Sequence, residues 1–105
     1  MNEFGLDDRA TSLILSVLEN HPKIVEARIF GSRAKGTFRP ESDVDLALLG
    51  DLDANDASRI AGELDDLSFP FRFDVQAYSR IKYAPLRAHI DRVGKPLFVR
   101  RTPAQ

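Results

Sequence analysis

Cysteine and tryptophan are absent from the 105 residues of this chain. The lack of cysteine excludes disulfide bonds, cysteine-based zinc sites and a thiol nucleophile. No apolar run approaches the roughly 20 residues that a membrane-spanning helix needs. The first residues are polar and acidic, unlike a secretory signal. We therefore expect a cytoplasmic protein that does not contact a membrane.

Neither sign of charge is in excess. The 15 Lys and Arg residues are balanced by 16 Asp and Glu residues, which gives a formal net charge of −1. Binding along the DNA backbone depends on a surplus of cations, so we expect no direct DNA binding. The hydrophobic fraction of 43% suits one small globular core. We expect one domain over residues 1–101 and a flexible tail at 102–105.

Hydrophobic periodicity predicts alternating helices and strands. Apolar residues recur at helical spacing over 13–18, 57–67 and 85–93. Strand patterns cover 24–30, 44–49, 71–77 and 97–99. A short helix-compatible segment lies between the first two strands. This order predicts an α/β (α+β) fold, in which helices pack mainly on one face of a small mixed sheet.

The turn after the first strand has the composition of a phosphate cradle. Gly31 and Ser32 follow the strand directly, and Gly36 ends the short helical segment. A tight turn from a strand into a helix directs backbone N–H groups and a hydroxyl toward an anion. Gly31 and Ser32 are therefore candidate nucleotide-binding residues. An ordinary structural turn is the alternative interpretation.

Three cations lie close to this turn in sequence: Arg33, Lys35 and Arg39. Each is able to bind oxygens of a triphosphate, and a solvated basic loop explains each of them equally well. Arg33, which directly follows the Gly-Ser pair, is the one included among the candidate nucleotide-binding residues.

Paired carboxylates follow at the start of the second strand. Asp43 and Asp45 are two residues apart, so both project from one face of the strand. Asp74 lies on the solvent-facing side of the 71–77 strand, between Phe73 and Val75. If the two strands are neighbours, the three carboxylates meet. Such a group repels itself unless a cation lies between its members, and Mg²⁺ favours a few carboxylates together with substrate phosphates.

Other polar residues fit structural roles better. Asp at a turn or at a helix start is an ordinary cap, and neither histidine has a partner pattern for a metal. The residues assigned to structure on this basis are Asp51, Asp53, Asp56, His21 and His89.

The run from Gly31 to Leu46 resembles the signature of the DNA polymerase beta-like nucleotidyltransferase superfamily, in which Gly-Ser and a spacer precede Asp-x-Asp. More narrowly, the chain resembles the minimal nucleotidyltransferases (MNT proteins), the antitoxins of HEPN/MNT toxin–antitoxin pairs. The resemblance implies the palm fold of that superfamily. It also implies that Asp43, Asp45 and Asp74 are catalytic and hold Mg²⁺, with two ions expected, and that Asp74 deprotonates the acceptor.

The resemblance predicts a function and a partner. The chain would move AMP from ATP to a tyrosine hydroxyl of a HEPN ribonuclease toxin and thereby silence it. One alternative is a non-catalytic antitoxin that neutralises the toxin by binding. Another is a nucleotidyltransferase that acts on a small molecule of the aminoglycoside type.

Overall fold

The computed structural model describes residues 1–101, so the tail expected at 102–105 lies outside the described residues. Its helices are α1 (Asp8–Glu19), α2 (Gly31–Lys35), α3 (Ala54–Asp65) and α4 (Ala84–Val93). Its strands are β1 (Ile24–Phe30), β2 (Val44–Gly50), β3 (Phe73–Ala77) and β4 (Lys95–Val99). A 3₁₀ turn over Tyr78–Arg80 precedes α4. Within residues 1–101, no helix is long and apolar enough to cross a membrane.

The four strands form one mixed sheet in the order β3-β2-β1-β4. β1 is antiparallel to β2 and to β4, whereas β2 and β3 are parallel. The parallel pair needs a crossover, which α3 provides. The predicted mixed sheet is confirmed, and so is the expected adjacency of the second and third strands.

The main core lies between the sheet and helices α1 and α3. Alternate side chains of β1 and β2 face these helices, and all of the following are fully buried there: Ile14, Leu18, Ala27, Ile29, Val44, Leu46, Leu48 and Leu64. A smaller cluster lies on the opposite face, where α4 packs through Ile90 against Phe30 and Ala47. The predicted placement of the helices, mainly on one face, is therefore confirmed.

The start of α3 explains two of the acids to which the sequence assigned a structural role. Asp53 caps α3 by accepting a hydrogen bond from the backbone N–H of Asp56 at 2.9 Å. The Asp56 carboxylate accepts one from the Asp53 N–H at 3.0 Å, which completes a capping box. The structural interpretation of both residues is confirmed.

The third strand is shorter than predicted. The expected strand starts at residue 71, but β3 begins at Phe73. Phe71 stacks on Phe69 at 5.2 Å between ring centroids and also lies against the Arg33 guanidinium. This packing holds Phe71 outside the ladder.

Candidate functional site

The phosphate-type turn lies where β1 passes into α2. Gly31 has φ +72°, in the left-handed region that glycine adopts without steric cost. A Cβ at this position would overlap the Asp45 carboxylate. The first N–H groups of a helix have no partner within that helix, so the turn presents free donors beside Asp45. Ser32 follows and is half-buried.

Asp45 lies at the centre of the acidic face. In the ladder it pairs with Phe30 of β1 on one side and with Asp74 of β3 on the other. Because residues that pair directly in a ladder point to the same face, Asp45 and Asp74 are neighbours there. Asp43 precedes Asp45 by two residues and shares its face. The structure thus brings together the three carboxylates that the sequence singled out.

The three acids differ in exposure. Asp43 and Asp74 are exposed, whereas Asp45 is half-buried. The Asp74 carboxylate accepts a hydrogen bond from the Gln76 side-chain amide at 3.2 Å. Gln76 stands two residues further along β3 and so shares the acidic face. It was not singled out from the sequence, because a glutamine in a strand carries no catalytic signal of its own.

Like charges and burial perturb the central acid. Burial raises the pKa of Asp45 to about 6, with further contributions from the Asp74 and Asp43 carboxylates, while the Arg33 guanidinium acts in the opposite direction. A carboxyl whose charge is opposed by two neighbouring carboxylates is a good place for a cation.

The acidic face has the donor chemistry for Mg²⁺, which prefers carboxylate oxygens and retains water. The electrostatic strain on Asp45 is the observation in favour of such an ion, since a divalent cation would relieve it. Among residues 1–101, however, no group of three or more acidic, histidine or cysteine side chains is close enough together to hold a metal ion as it stands.

Arg33 is placed differently from the other candidate nucleotide-binding residues. Its side chain is only 1% exposed and points beneath the loop that leads to β2. Its guanidinium donates to the backbone carbonyls of Phe4, Pro40 and Ser42 at 2.8–3.1 Å. The N–H groups of Arg33 are thus directed at backbone carbonyls rather than at the open acidic face, although its charge acts on Asp43 and Asp45. Lys35 and Arg39 are exposed.

The histidines and one wide groove have neighbours other than the three acids. The His21 Nε2 atom lies 3.0 Å from a carboxylate oxygen of Glu63, and His89 meets the Phe30 ring edge-on. The groove measures about 780 Å³ and is lined at the start of α3 and before α4 by the following residues: Asp53, Ala54, Asn55, Ser79, Arg80, Ile81, Lys82 and Arg87. None of the three clustered acids lines it.

Comparison with known proteins fits this geometry. The family model described as "Polymerase beta, Nucleotidyltransferase" matches residues 13–102. No curated protein matches the sequence with significant similarity. Several solved structures do match.

A toxin–antitoxin crystal structure with AMP-PNP shares 25% identity at a TM-score of 0.66, covering 87% of this chain and 74% of that chain. The toxin–antitoxin MntA–HepT gives 21% identity and a TM-score of 0.66 over 90% and 74% of the two chains. A structure described as the tri-AMPylated Shewanella oneidensis HEPN toxin in complex with MNT antitoxin shares 22% identity at a TM-score of 0.59. The match covers 88% of this chain and 71% of that chain. At 21% and 22% identity, the last two similarities show only that the fold is shared.

The family model covers most of the chain, and its match includes the Gly-Ser turn and all three acids. The fold recurs in the similar solved structures. The chain therefore belongs to the polymerase beta nucleotidyltransferase family.

Proposed function

We propose that this protein is an antitoxin that transfers AMP from ATP to a tyrosine hydroxyl of a partner HEPN ribonuclease toxin. The observation that carries the proposal is the pairing of Asp45 with Asp74 in the ladder, directly beside the Gly31 turn. This arrangement sets a candidate phosphate-binding turn beside clustered carboxylates, the two components that phosphoryl transfer requires.

Two of the similar structures support the biological setting. One is a toxin–antitoxin with AMP-PNP, an ATP analogue, and another contains a tri-AMPylated HEPN toxin with an MNT antitoxin. An AMPylated toxin beside an antitoxin of this fold supports a protein as the acceptor. We propose the same class of partner for this chain, and the cytoplasm, where ATP is supplied, as its location.

The residues of the turn would bind the nucleotide. Backbone N–H groups at Gly31 and Ser32, with the Ser32 hydroxyl, would donate to phosphate oxygens. Asp43, Asp45 and Asp74 would hold Mg²⁺, with two ions expected from the family. When bound, Mg²⁺ would offset the negative charge of the phosphates and of the departing pyrophosphate.

The chemistry is an in-line displacement at the α-phosphorus. The tyrosine oxygen of the acceptor forms a bond to this phosphorus as the bond from phosphorus to the bridging oxygen of pyrophosphate breaks. The hydroxyl proton passes to a carboxylate oxygen of Asp74, whose exposure leaves it accessible to an incoming protein. AMP then stays on the toxin through a phosphodiester bond, and pyrophosphate leaves.

Transferred AMP explains how the toxin is silenced. An adenylyl group adds bulk and negative charge close to the tyrosine that carries it. If that tyrosine lies near the RNA-cutting site, RNA phosphates are repelled and blocked. Inhibition would then persist after the antitoxin dissociates.

Co-expression with the cognate toxin tests the proposal. Intact-mass spectrometry of toxin purified with the wild-type protein should show one or more added adenylyl groups. Toxin purified with Asp45→Asn should keep its unmodified mass. Glu41→Gln is the matched control, because Glu41 is an exposed acid in the loop before β2 and is not among the charges that perturb Asp45.

The same experiment distinguishes enzymatic from stoichiometric inhibition. If the toxin is silenced yet unmodified with both the wild type and Asp45→Asn, the transfer proposal is wrong and inhibition by direct binding accounts for neutralisation. Incubation of the wild type with labelled ATP, Mg²⁺ and small hydroxylated acceptors tests the remaining alternative, transfer to a small molecule.

A further inference from the structure

Arg33 is the one charged side chain that is fully buried among the described residues. Burying a guanidinium is costly unless its N–H groups are satisfied. Within residues 1–101 no carboxylate forms an ion pair with it. Backbone carbonyls and aromatic rings provide its partners instead. A charge kept buried in this way calls for an explanation beyond packing.

The carbonyl partners of Arg33 come from two segments. Nη1 donates to the carbonyl of Phe4 in the N-terminal segment at 2.9 Å. Nε and Nη2 both donate to the Ser42 carbonyl, at 3.1 and 2.8 Å, and Nη2 also donates to the Pro40 carbonyl at 3.0 Å. The guanidinium thus ties the loop before β2 to the start of the chain.

Two phenylalanine rings hold the guanidinium in place. The Phe71 ring centroid lies 4.8 Å from the guanidinium carbon, and that of Phe38 lies 5.2 Å from it. Phe71 precedes β3, the strand that carries Asp74. Arg33 therefore contacts the segments that lead into both acid-bearing strands.

Asp43 directly follows Ser42, whose carbonyl accepts the hydrogen bonds from Arg33. On its N-terminal side, the Ser42 carbonyl is held twice by Arg33, and the Ser42 N–H donates to the Arg39 carbonyl at 3.0 Å. On its C-terminal side, the Val44 N–H donates to the Arg72 carbonyl at 2.8 Å. Asp43 is exposed, so its backbone is held by these bonds on either side rather than by burial.

We propose that Arg33 is a positioning residue that fixes the backbone before Asp43 and so aligns this carboxylate with Asp45 and Asp74 for binding a divalent cation. The proposal rests on the function proposed above, in which these three acids hold Mg²⁺. It replaces the role of nucleotide ligand for Arg33, since its N–H groups are already directed at backbone carbonyls.

Metal affinity measured in a double-mutant cycle tests the positioning role. Arg33→Lys keeps the positive charge but loses the fork of N–H donors, so Mn²⁺ affinity measured by titration calorimetry should fall about tenfold or more. Because Arg33 acts through Asp43, adding Arg33→Lys to Asp43→Asn should cause little further loss. Additive losses would overturn the proposal.

Arg28→Lys is the matched control. Arg28 is half-buried and, like Arg33, donates to a backbone carbonyl, that of Gly94 at 2.6 Å, but it does not contact the loop before β2. Its Mn²⁺ affinity should equal that of the wild type. If Arg33→Lys also retains wild-type Mn²⁺ affinity and loses only affinity for AMP-PNP, Arg33 is a nucleotide ligand and the proposal is wrong.

Amide hydrogen exchange gives a readout that needs no metal. In Arg33→Lys the N–H groups of Ser42 and Val44 should exchange faster, while that of Leu48 in the middle of β2 stays protected. Wild-type exchange rates at Ser42 and Val44 would contradict the positioning role alone. A wild-type protein that binds no Mn²⁺ would instead contradict the proposed function.

Phe38→Leu covers the case in which Arg33→Lys does not fold. It keeps Arg33 but removes one of the two rings against which the guanidinium lies, 5.2 Å from its carbon. Exchange at Ser42 and Val44 should again quicken, and Mn²⁺ affinity should fall by a smaller factor that disappears in the Asp43→Asn background. Unchanged exchange and affinity in Phe38→Leu would overturn the proposal.

Discussion

Gly31 lies directly against the carboxylate of Asp45, so that a Cβ on Gly31 would occupy the space of the Asp45 Oδ2 atom. The turn that is proposed to bind phosphate and the acid that is proposed to bind metal are therefore in van der Waals contact. Glycine at this position serves two purposes, because its φ of +72° is also disfavoured for other residues.

Gly31→Ala should therefore disturb the acidic face as well as the backbone. The left-handed backbone costs an alanine roughly 1–2 kcal/mol, and the displaced Asp45 carboxylate should lower Mn²⁺ affinity about tenfold, equivalent to roughly 1.4 kcal/mol. Urea unfolding and Mn²⁺ titration measure the two effects separately.

Gly36→Ala provides the comparison for this prediction. Gly36 has φ +82°, but a Cβ there would have no neighbour within 4 Å. It should lose a similar free energy of unfolding and keep wild-type Mn²⁺ affinity. Equal metal affinities in the two variants would show that the contact between Gly31 and Asp45 has no part in metal binding.

The pKa of Asp45 predicts how the stability of the metal-free protein changes with pH. Its folded-state pKa is raised from 3.8 to about 6, so the folded protein holds this proton more tightly than the unfolded chain. The resulting stabilisation is complete below about pH 4 and is lost as the pH rises through about 6. Asp45 is half-exposed, so after allowance for solvent screening we expect about 1 kcal/mol.

Asp45→Asn should remove this dependence. The free energy of unfolding of the variant minus that of the wild type should be about 1 kcal/mol higher at pH 8 than at pH 4, because only the wild type loses stability as the pH rises. Asp51→Asn, a change at an exposed acid outside the acidic face, should show no such trend. Urea denaturation in chelator across this pH range measures it, and a pH-independent difference for Asp45→Asn would contradict the assignment.

Metal ions should stabilise the folded protein through the three acids. A ligand that binds only the folded state raises the melting temperature with its concentration, so Mn²⁺ should raise the Tm of the wild type. Asp74→Asn removes one charged ligand and should reduce the rise. Glu41→Gln should respond as the wild type does, and a full response in Asp74→Asn would remove Asp74 from the proposed metal site.

The contacts of Arg100 predict that its removal lowers the stability of the fold without affecting the acids. Its guanidinium donates to carbonyls at the end of α1 and in the turn into β1, including those of Ile24 at 2.9 Å and His21 at 3.0 Å. It also lies over the Phe98 ring, 5.2 Å from its centroid. Arg100→Ala should lower the free energy of unfolding by about 2 kcal/mol, since several carbonyls lose a charged donor.

Arg101→Ala is the control for that measurement, because Arg101 is exposed. We expect its free energy of unfolding to remain within about 0.5 kcal/mol of the wild type. Mn²⁺ affinity should be unchanged in both variants, since neither side chain lies near the acidic face. Equal stabilities of the two variants would show that the Arg100 contacts contribute nothing measurable.

The elements of the fold were accessible from the sequence because each has a strong local signal. Short runs of β-branched and aliphatic residues mark β1 and β2, and the helical recurrence of Ile60 and Leu64 marks α3. Asp45 was identifiable because aspartate is unusual within a strand and stands two residues after another aspartate. The resemblance to the family was also visible in the sequence, because the residues from Gly31 to Asp45 lie within one continuous segment.

The relationships between distant segments were decided by the tertiary structure. The sequence predicted Asp74 as the third acid only on the condition that two strands are neighbours, and the parallel ladder of β2 and β3 places it opposite Asp45. The burial of Arg33 depends on carbonyls of Phe4 and Ser42 and on the ring of Phe71. An arginine after a Gly-Ser pair has the same local signal whether it faces solvent or the core, because backbone carbonyls brought in from remote segments leave no mark on the sequence around it.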